Sequence, residues 1–181
     1  MPGIKGKNTL LIIASLIFYA FGEPIYVLLM IGSIIANYIF GLMEGRFSKA
    51  NNIAGKKIVL IIAVICNIGV LCVFKYTAFI LENINYAGRL NIKIPGIALP
   101  IGISFFTFQA LSYVIDVYRG EAQMQKNYLN VLLYISFFPQ LIAGPIVKYH
   151  DIQMQINERN ADFEEIASGF RRFTVGLGKK F

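Results

Sequence analysis

The residues of this chain best suited to chemistry lie where an oily sequence is least expected to carry them. Residues 104–120 read SFFTFQALSYVIDVYRG and mix aromatic rings with Ser104, Gln109, Ser112, Tyr113, Asp116 and Arg119. With Ser104 at 0° on a helical wheel, Gln109, Ser112, Tyr113, Asp116 and Arg119 fall between about 60° and 180°, and Phe106, Ala110, Val114 and Val117 between about 200° and 280°. Polar groups at membrane depth normally face a bundle interior or a watery cavity, so the wheel predicts a polar half turned towards a substrate path. The plainer alternative is an Asp116–Arg119 ion pair at the membrane surface, with the hydroxyls bonded to backbone carbonyls. Ser104 has no G-x-S-x-G elbow around it and is not read as a nucleophile.

The single histidine, His150, is the natural candidate for a general base near neutral pH. It stands in IVKYHDI at the end of an apolar run, beside Lys148 and Asp151, which is the setting of an interfacial polar residue. We read it so, and not as a catalyst. Cys66 and Cys72 are six apart on one run, on different faces of a helix, so no helix-internal disulfide is expected. With one histidine, no zinc or di-metal set can be assembled from the usual Cys and His ligands.

The elements that must position these residues are apolar. Of 181 residues 56% are hydrophobic, and mean hydropathy is +0.61, too oily for an ordinary soluble domain. The net charge of +7 sits in short connectors, where it sets membrane orientation; no basic stripe for nucleic acid is present. Five apolar stretches stand out, at 10–21, 25–43, 58–81, 94–118 and 128–147. The second and third meet the roughly 20 residues that a bilayer core of about 30 Å demands of a helix. The first is too short by this measure. It also resembles a secretory signal, although FYAFGEP lacks a small-x-small cleavage pattern, and Gly22-Glu23-Pro24 reads as a break between membrane helices. The last two stretches are interrupted, by Pro95, Gly96, Pro100 and Gly102, and by Pro139, Gly144 and Pro145. Broken helices at membrane depth need protein or a watery cavity to satisfy the freed backbone, so two in succession suggest a cavity. Gln140, Gly144 and Pro145 join Ser104, Gln109, Tyr113, Asp116 and Arg119 as candidate tunnel-lining residues.

The loop from Glu44 to Lys57 holds Arg46, Lys49, Lys56 and Lys57 against one acid, which places it in the cytoplasm. Two full crossings by 94–118 and 128–147 would then leave the basic tail outside. A re-entrant fourth stretch, with both flanks outside, removes the conflict. Beyond His150 the chain turns amphipathic, with Asn160 or Asp162 as N-caps of a surface-lying helix over about residues 161–175.

LPIGISFFTFQALSYVIDVYRGE, then NYLNVLLYISFFPQLIAGPIVKYHDI, with LLIIASLIFYAFGEPIYVLLMIGSIIANYIFG before them, resemble the membrane-bound O-acyltransferase family, in its alginate O-acetyltransferase branch. The resemblance implies an all-α polytopic fold with a tunnel, forming a single, partial membrane domain over 1–181. It implies transfer of an acyl group, acetyl by this branch, to hydroxyls of an extracytoplasmic polysaccharide. No bound cofactor is implied; the donor, acetyl-CoA or an acyl carrier, stays open. Polysaccharide-modifying partner proteins and the lipid bilayer are the implied partners. The family's essential histidine is expected beyond Phe181, not at His150, so this chain alone is expected to be inactive. D-alanyl transfer to teichoic acid on the same scaffold and a non-catalytic transport or assembly subunit are the alternatives.

Overall fold

In hydrocarbon every backbone polar group must find its partner within the chain, and for runs of this length the helix is what supplies one. A computed structural model describes residues 3–141, 147–159 and 163–179, and among them every regular element is helical. The order is α1 (Ile4–Gly22), α2 (Tyr26–Lys49), α3 (Ile53–Leu71), a π-helical turn (Cys72–Tyr76), α4 (Thr77–Gly88), α5 (Ile103–Arg119), α6 (Tyr128–Ser136), α7 (Phe138–Leu141), α8 (Tyr149–Asn157) and α9 (Phe163–Gly178). Gly144, Pro145, Asn160 and Asp162, singled out above, lie outside the described residues.

Among the described residues, three helices are long and apolar enough to cross a bilayer: Ile4–Gly22, Tyr26–Lys49 and the continuous 36-residue run Ile53–Gly88. The chain is a multi-pass membrane protein. The first corrects an expectation. Helix α1 opens ahead of the apolar run, taking in Lys5 and Lys7, and its 19 residues reach about 28 Å at roughly 1.5 Å each, enough to span. It also packs into the bundle, with Ile12, Ser15 and Tyr19 buried.

The fourth stretch is helical only from Ile103. Residues 89–102 form no helix, because Pro95 and Pro100 lack amide protons and Gly102 takes a left-handed φ of 76°. Tyr26 donates to the Ala98 carbonyl and Tyr19 to the Ile101 carbonyl, each at 3.0 Å. These bonds put the start of α5 at the face where α1 ends and α2 begins. Its other end lies at the opposite face. There Lys56 Nζ, at the start of α3, donates to the Tyr118 carbonyl at 2.8 Å, and Met124 lies against Gly45 near the end of α2. Arg46, Lys49, Lys56 and Lys57 belong to this basic end. Helix α5 therefore passes from one face of the bundle to the other and is not re-entrant.

The excursion that returns to its own side is the next one. Tyr38 donates to the Lys126 carbonyl at 2.6 Å and stacks edge-on with Tyr128, which places the start of α6 towards the basic end. By Phe138 the chain has reached Ser15, and by Leu141 its carbonyl lies against Gly102. At Val147 it is back beside Tyr134, whose hydroxyl donates to the Val147 carbonyl at 2.7 Å. Helix α8 then runs across the basic end, held by Asn8 on the Ile156 carbonyl and by Asn130 on Asn157, both at 3.0 Å. The basic tail consequently leaves on the side of the Glu44–Lys57 connector. Charge asymmetry is satisfied by a different re-entrant element from the one expected.

Candidate functional site

Helix α5 is the axis of the site because it packs against α2, α3, α6 and α8 and buries most of its own residues. Gly102 and Gly120 bracket it with φ of 76° and 78°, a conformation costly for side chains with a Cβ. On the wheel its buried residues run from about 120° to 340°, and its open face, between about 0° and 100°, carries Ser104, Phe105, Phe108, Ser112, Ile115 and Arg119. The division expected between a wet and an oily side is thus redrawn. Phe106, Ala110 and Val114 are fully buried, Phe106 against Tyr19 of α1, while Gln109 bonds to α6 and Tyr113 and Asp116 meet α8, all three buried as well.

Gln109, Tyr113 and Asp116 find protein partners, whereas the buried Thr107 hydroxyl on the same helix has none among the described residues. Gln109 Nε2 donates to the Tyr134 carbonyl at 2.8 Å and to Gln140 Oε1 at 3.2 Å. Ser112 Oγ lies 3.0 Å from Tyr134 Oη. One turn nearer the basic end, the Tyr113 hydroxyl accepts from the Gln125 backbone at 3.2 Å, and Gln125 Nε2 donates to Tyr149 at 3.0 Å. Tyr149 stands edge-on between Tyr113 and Tyr134, at centroid distances of 4.9 and 5.1 Å. Burial raises the pKa of the Tyr149 phenol, against the lowering effect of the bond it accepts from Gln125. Tyr113 fits because α2 carries glycine opposite it: a Cβ at Gly41 would stand 2.5 Å from the ring.

At the end of this stack Asp116 Oδ2 meets two nitrogens of one residue, His150 N at 3.4 Å and His150 Nδ1 at 3.3 Å. His150 Nε2 lies 3.1 Å from Asp151 Oδ1, and Glu121 Oε2 is 3.7 Å from Nδ1. Asp116 therefore does not pair with Arg119, which turns outward to Glu121 at 3.9 Å with more than half its side chain exposed. One ligand atom each from Asp116, Glu121 and His150 fall within 4.8 Å of one another, a carboxylate–imidazole set that counting cysteines and histidines does not reveal.

Of the sequence-selected residues, Gln109 and Gln140 touch, and Gln109, Tyr113 and Asp116 line one layered polar seam. Ser104 and Arg119 lie apart on the open face. Gln140 and Tyr134 also face a cavity of about 230 Å³ between α1, α6, α7 and α8, walled by Leu11, Leu133, Phe137 and Ile156. Sequence reasoning missed Tyr134, Tyr149 and Gln125, whose role depends on the return of the chain after α7. It also missed Glu44, fully buried with neither carboxylate oxygen hydrogen-bonded among the described residues, because Lys56 is spent on Tyr118.

The seam acquires a context from known proteins. The chain is 36% identical to a probable alginate O-acetylase AlgI of Pseudomonas aeruginosa over 184 residues, covering 99% of this chain and 35% of the relative. It is 34% identical to a peptidoglycan O-acetyltransferase of Helicobacter pylori, over 94% of the chain and 37% of the relative. A probable alginate O-acetylase AlgI of Azotobacter vinelandii matches at 34%, over 96% and 35%. Along nearly its whole length the chain is similar to these O-acetylases and O-acetyltransferases. It spans about a third of the length of these relatives. No protein-family model and no solved structure matches it. The match to the Pseudomonas aeruginosa relative covers 99% of the chain and so takes in both broken stretches.

Proposed function

We propose that this chain forms part of a membrane O-acetyltransferase that moves acetyl from a donor to hydroxyls of an extracytoplasmic glycan, and that the Gln109–Gln140–Tyr134 layer borders the path of the acyl group. Transfer forms an ester between the sugar oxygen and the acyl carbon, breaks the donor's acyl bond and moves the hydroxyl proton to the leaving group through a base. The observation that carries the reading is a donor-rich layer at mid-bundle beside a largely apolar cavity. Amides and a phenol held in a dry seam can orient a carbonyl without reorganising, which favours charge developing on its oxygen. The donor, acetyl-CoA or an acyl carrier, would approach from the basic end, whose lysines and arginines suit its phosphates or the carrier's acids. Proteins that modify or export the polysaccharide would take the product on the far side. The relatives named for alginate and for peptidoglycan favour a glycan acceptor without fixing which.

The test replaces Gln109 and Gln140 by leucine, separately, in the full-length protein within cells that acetylate their polysaccharide. Base-released acetate is measured against the amount of the protein in membranes. Loss of one orienting contact worth about 1.4 kcal/mol lowers acetate about tenfold at unchanged protein level. Ser104→Ala, on the open face, should leave it unaltered. Unchanged acetate in both glutamine variants would remove the layer from the reaction.

A further inference from the structure

Helix α9 has none of its residues buried, yet it is the most cleanly two-faced helix in the chain. Ile166, Ala167, Phe170, Phe173, Thr174 and Leu177 fall in one arc of about 120°, whereas Glu164, Glu165, Ser168, Arg171 and Arg172 occupy the other side. Phe170 and Phe173 are 70% and 68% exposed, a display that an aqueous helix does not sustain. Its 16 residues reach about 24 Å, short of a hydrocarbon core of about 30 Å, and its charged arc bars insertion across it.

The chain dictates which surface is in reach. Asn157, the last residue of α8, is bonded to Asn130 at the basic end. The six residues from there to Phe163 extend at most about 21 Å, less than the thickness of the bilayer core, so α9 begins on the basic side. That side belongs to the cytoplasmic leaflet by the excess of Lys and Arg in the α2–α3 connector. Acids stand in the first turn of α9 and Arg171, Arg172 and Lys179 towards its end, so the basic half is the one free to meet anions.

We propose that α9 lies in the plane of the cytoplasmic leaflet, with Ile166, Phe170, Phe173 and Leu177 among the upper acyl chains and Arg171, Arg172 and Lys179 on the phosphates of anionic lipids. Arg171 flanks the apolar arc, from which a guanidinium on its flexible stem reaches the headgroup level. Basic residues near an anionic leaflet are each attracted to its negative surface, which confers the preference for negative lipid. The occupant is thus the membrane that the bundle already spans, and not a partner protein. The inference is independent of the acyl-transfer reading, since it concerns lipid and not acetate.

The full chain, with Cys66→Ala and Cys72→Ala, is reconstituted in vesicles carrying an environment-sensitive fluorophore on a single cysteine at Phe170, Phe173 or Ser168. Nitroxides placed shallow or deep on the lipid tails read its depth. The expected result is strong shallow quenching at 170 and 173, weak quenching at 168, and deeper seating when phosphatidylserine is mixed into phosphatidylcholine. Replacing Arg171, Arg172 and Lys179 by glutamine should abolish the phosphatidylserine effect while leaving part of the quenching. Absence of quenching at 170 and 173 would mean that protein covers the stripe. Stronger deep than shallow quenching would mean that the helix inserts, and equal response in both lipids would remove the headgroup contact; each overturns the proposal.

Discussion

Tyr113 carries more of the structure than its position in the sequence announces. Its ring is fully buried, shares an edge contact with Tyr149, and presses on α2 where only glycine leaves room. Gly41→Ala should therefore cost about 1–3 kcal/mol, because a rigid ring packed on several sides cannot yield as a flexible chain end would. Gly32→Ala, on the same helix with no atom within 4 Å of the added carbon, should be neutral or stabilising by up to about 1 kcal/mol from helix propensity alone. Unfolding of both variants in mild detergent, followed by circular dichroism, checks the pair, and a similar loss in both would refute the steric account. At this scale the sequence shows the arc that holds Gln109, Tyr113 and Asp116, because a helix repeats every few residues. It does not show Tyr134, Gln140 or His150 as their partners. Those lie 25 to 34 residues away, and which of them meet depends on where the chain turns back after α7.

Between elements, α2 and α3 are joined by a reciprocal amide pair. Asn37 Nδ2 donates to Asn67 Oδ1 at 3.0 Å and Asn67 Nδ2 donates back at 2.8 Å, both side chains being buried. In a membrane, where no hydrophobic drive separates helix contacts from lipid contacts, such pairs fix which helices pack and in what register. Asn37→Leu or Asn67→Leu should each cost about 1–2 kcal/mol, since the surviving amide is left with unmet groups. The double variant should cost clearly less than the sum, and additive losses in a double-mutant cycle would show that the two amides act separately. The existence of these helices was readable from the apolar runs alone. Their ends were less so: α1 starts inside a lysine-bearing segment, the third run continues through a π-helical turn to Gly88, and the fourth begins as helix only at Ile103. Prolines marked the break before α5 correctly in kind, but apolar composition does not distinguish an extended segment from a helix when tyrosines bond its carbonyls.

For the molecule as a whole, the charge rule and the order of crossings are separate constraints, and the sequence supplies only the first. Basic residues in the α2–α3 connector and in the tail demand that both lie on one side, which an odd number of returns can achieve in more than one way. The structure chooses α6 and α7 for the return because Pro139 follows a nine-residue helix too short to span, and because Ser15 of α1 accepts the Phe138 amide that the break leaves open, while Gly102 leaves room for the Leu141 carbonyl to approach. Helix α5, by contrast, has no break between its two glycines and is clasped by α2 and α3 along its length. The linker from Gly120 to Asn127 must then face the same compartment as the α2–α3 connector. Single cysteines at Gln123 and Asn51, in a Cys66→Ala, Cys72→Ala background, should react with an impermeant maleimide from the same side of sealed vesicles. A cysteine at Glu23, at the opposite end, should react only from the other side. Reaction of Gln123 together with Glu23 would restore a re-entrant α5, and with it the polar seam would have to be rebuilt, since Asp116 would no longer share an end of the bundle with His150.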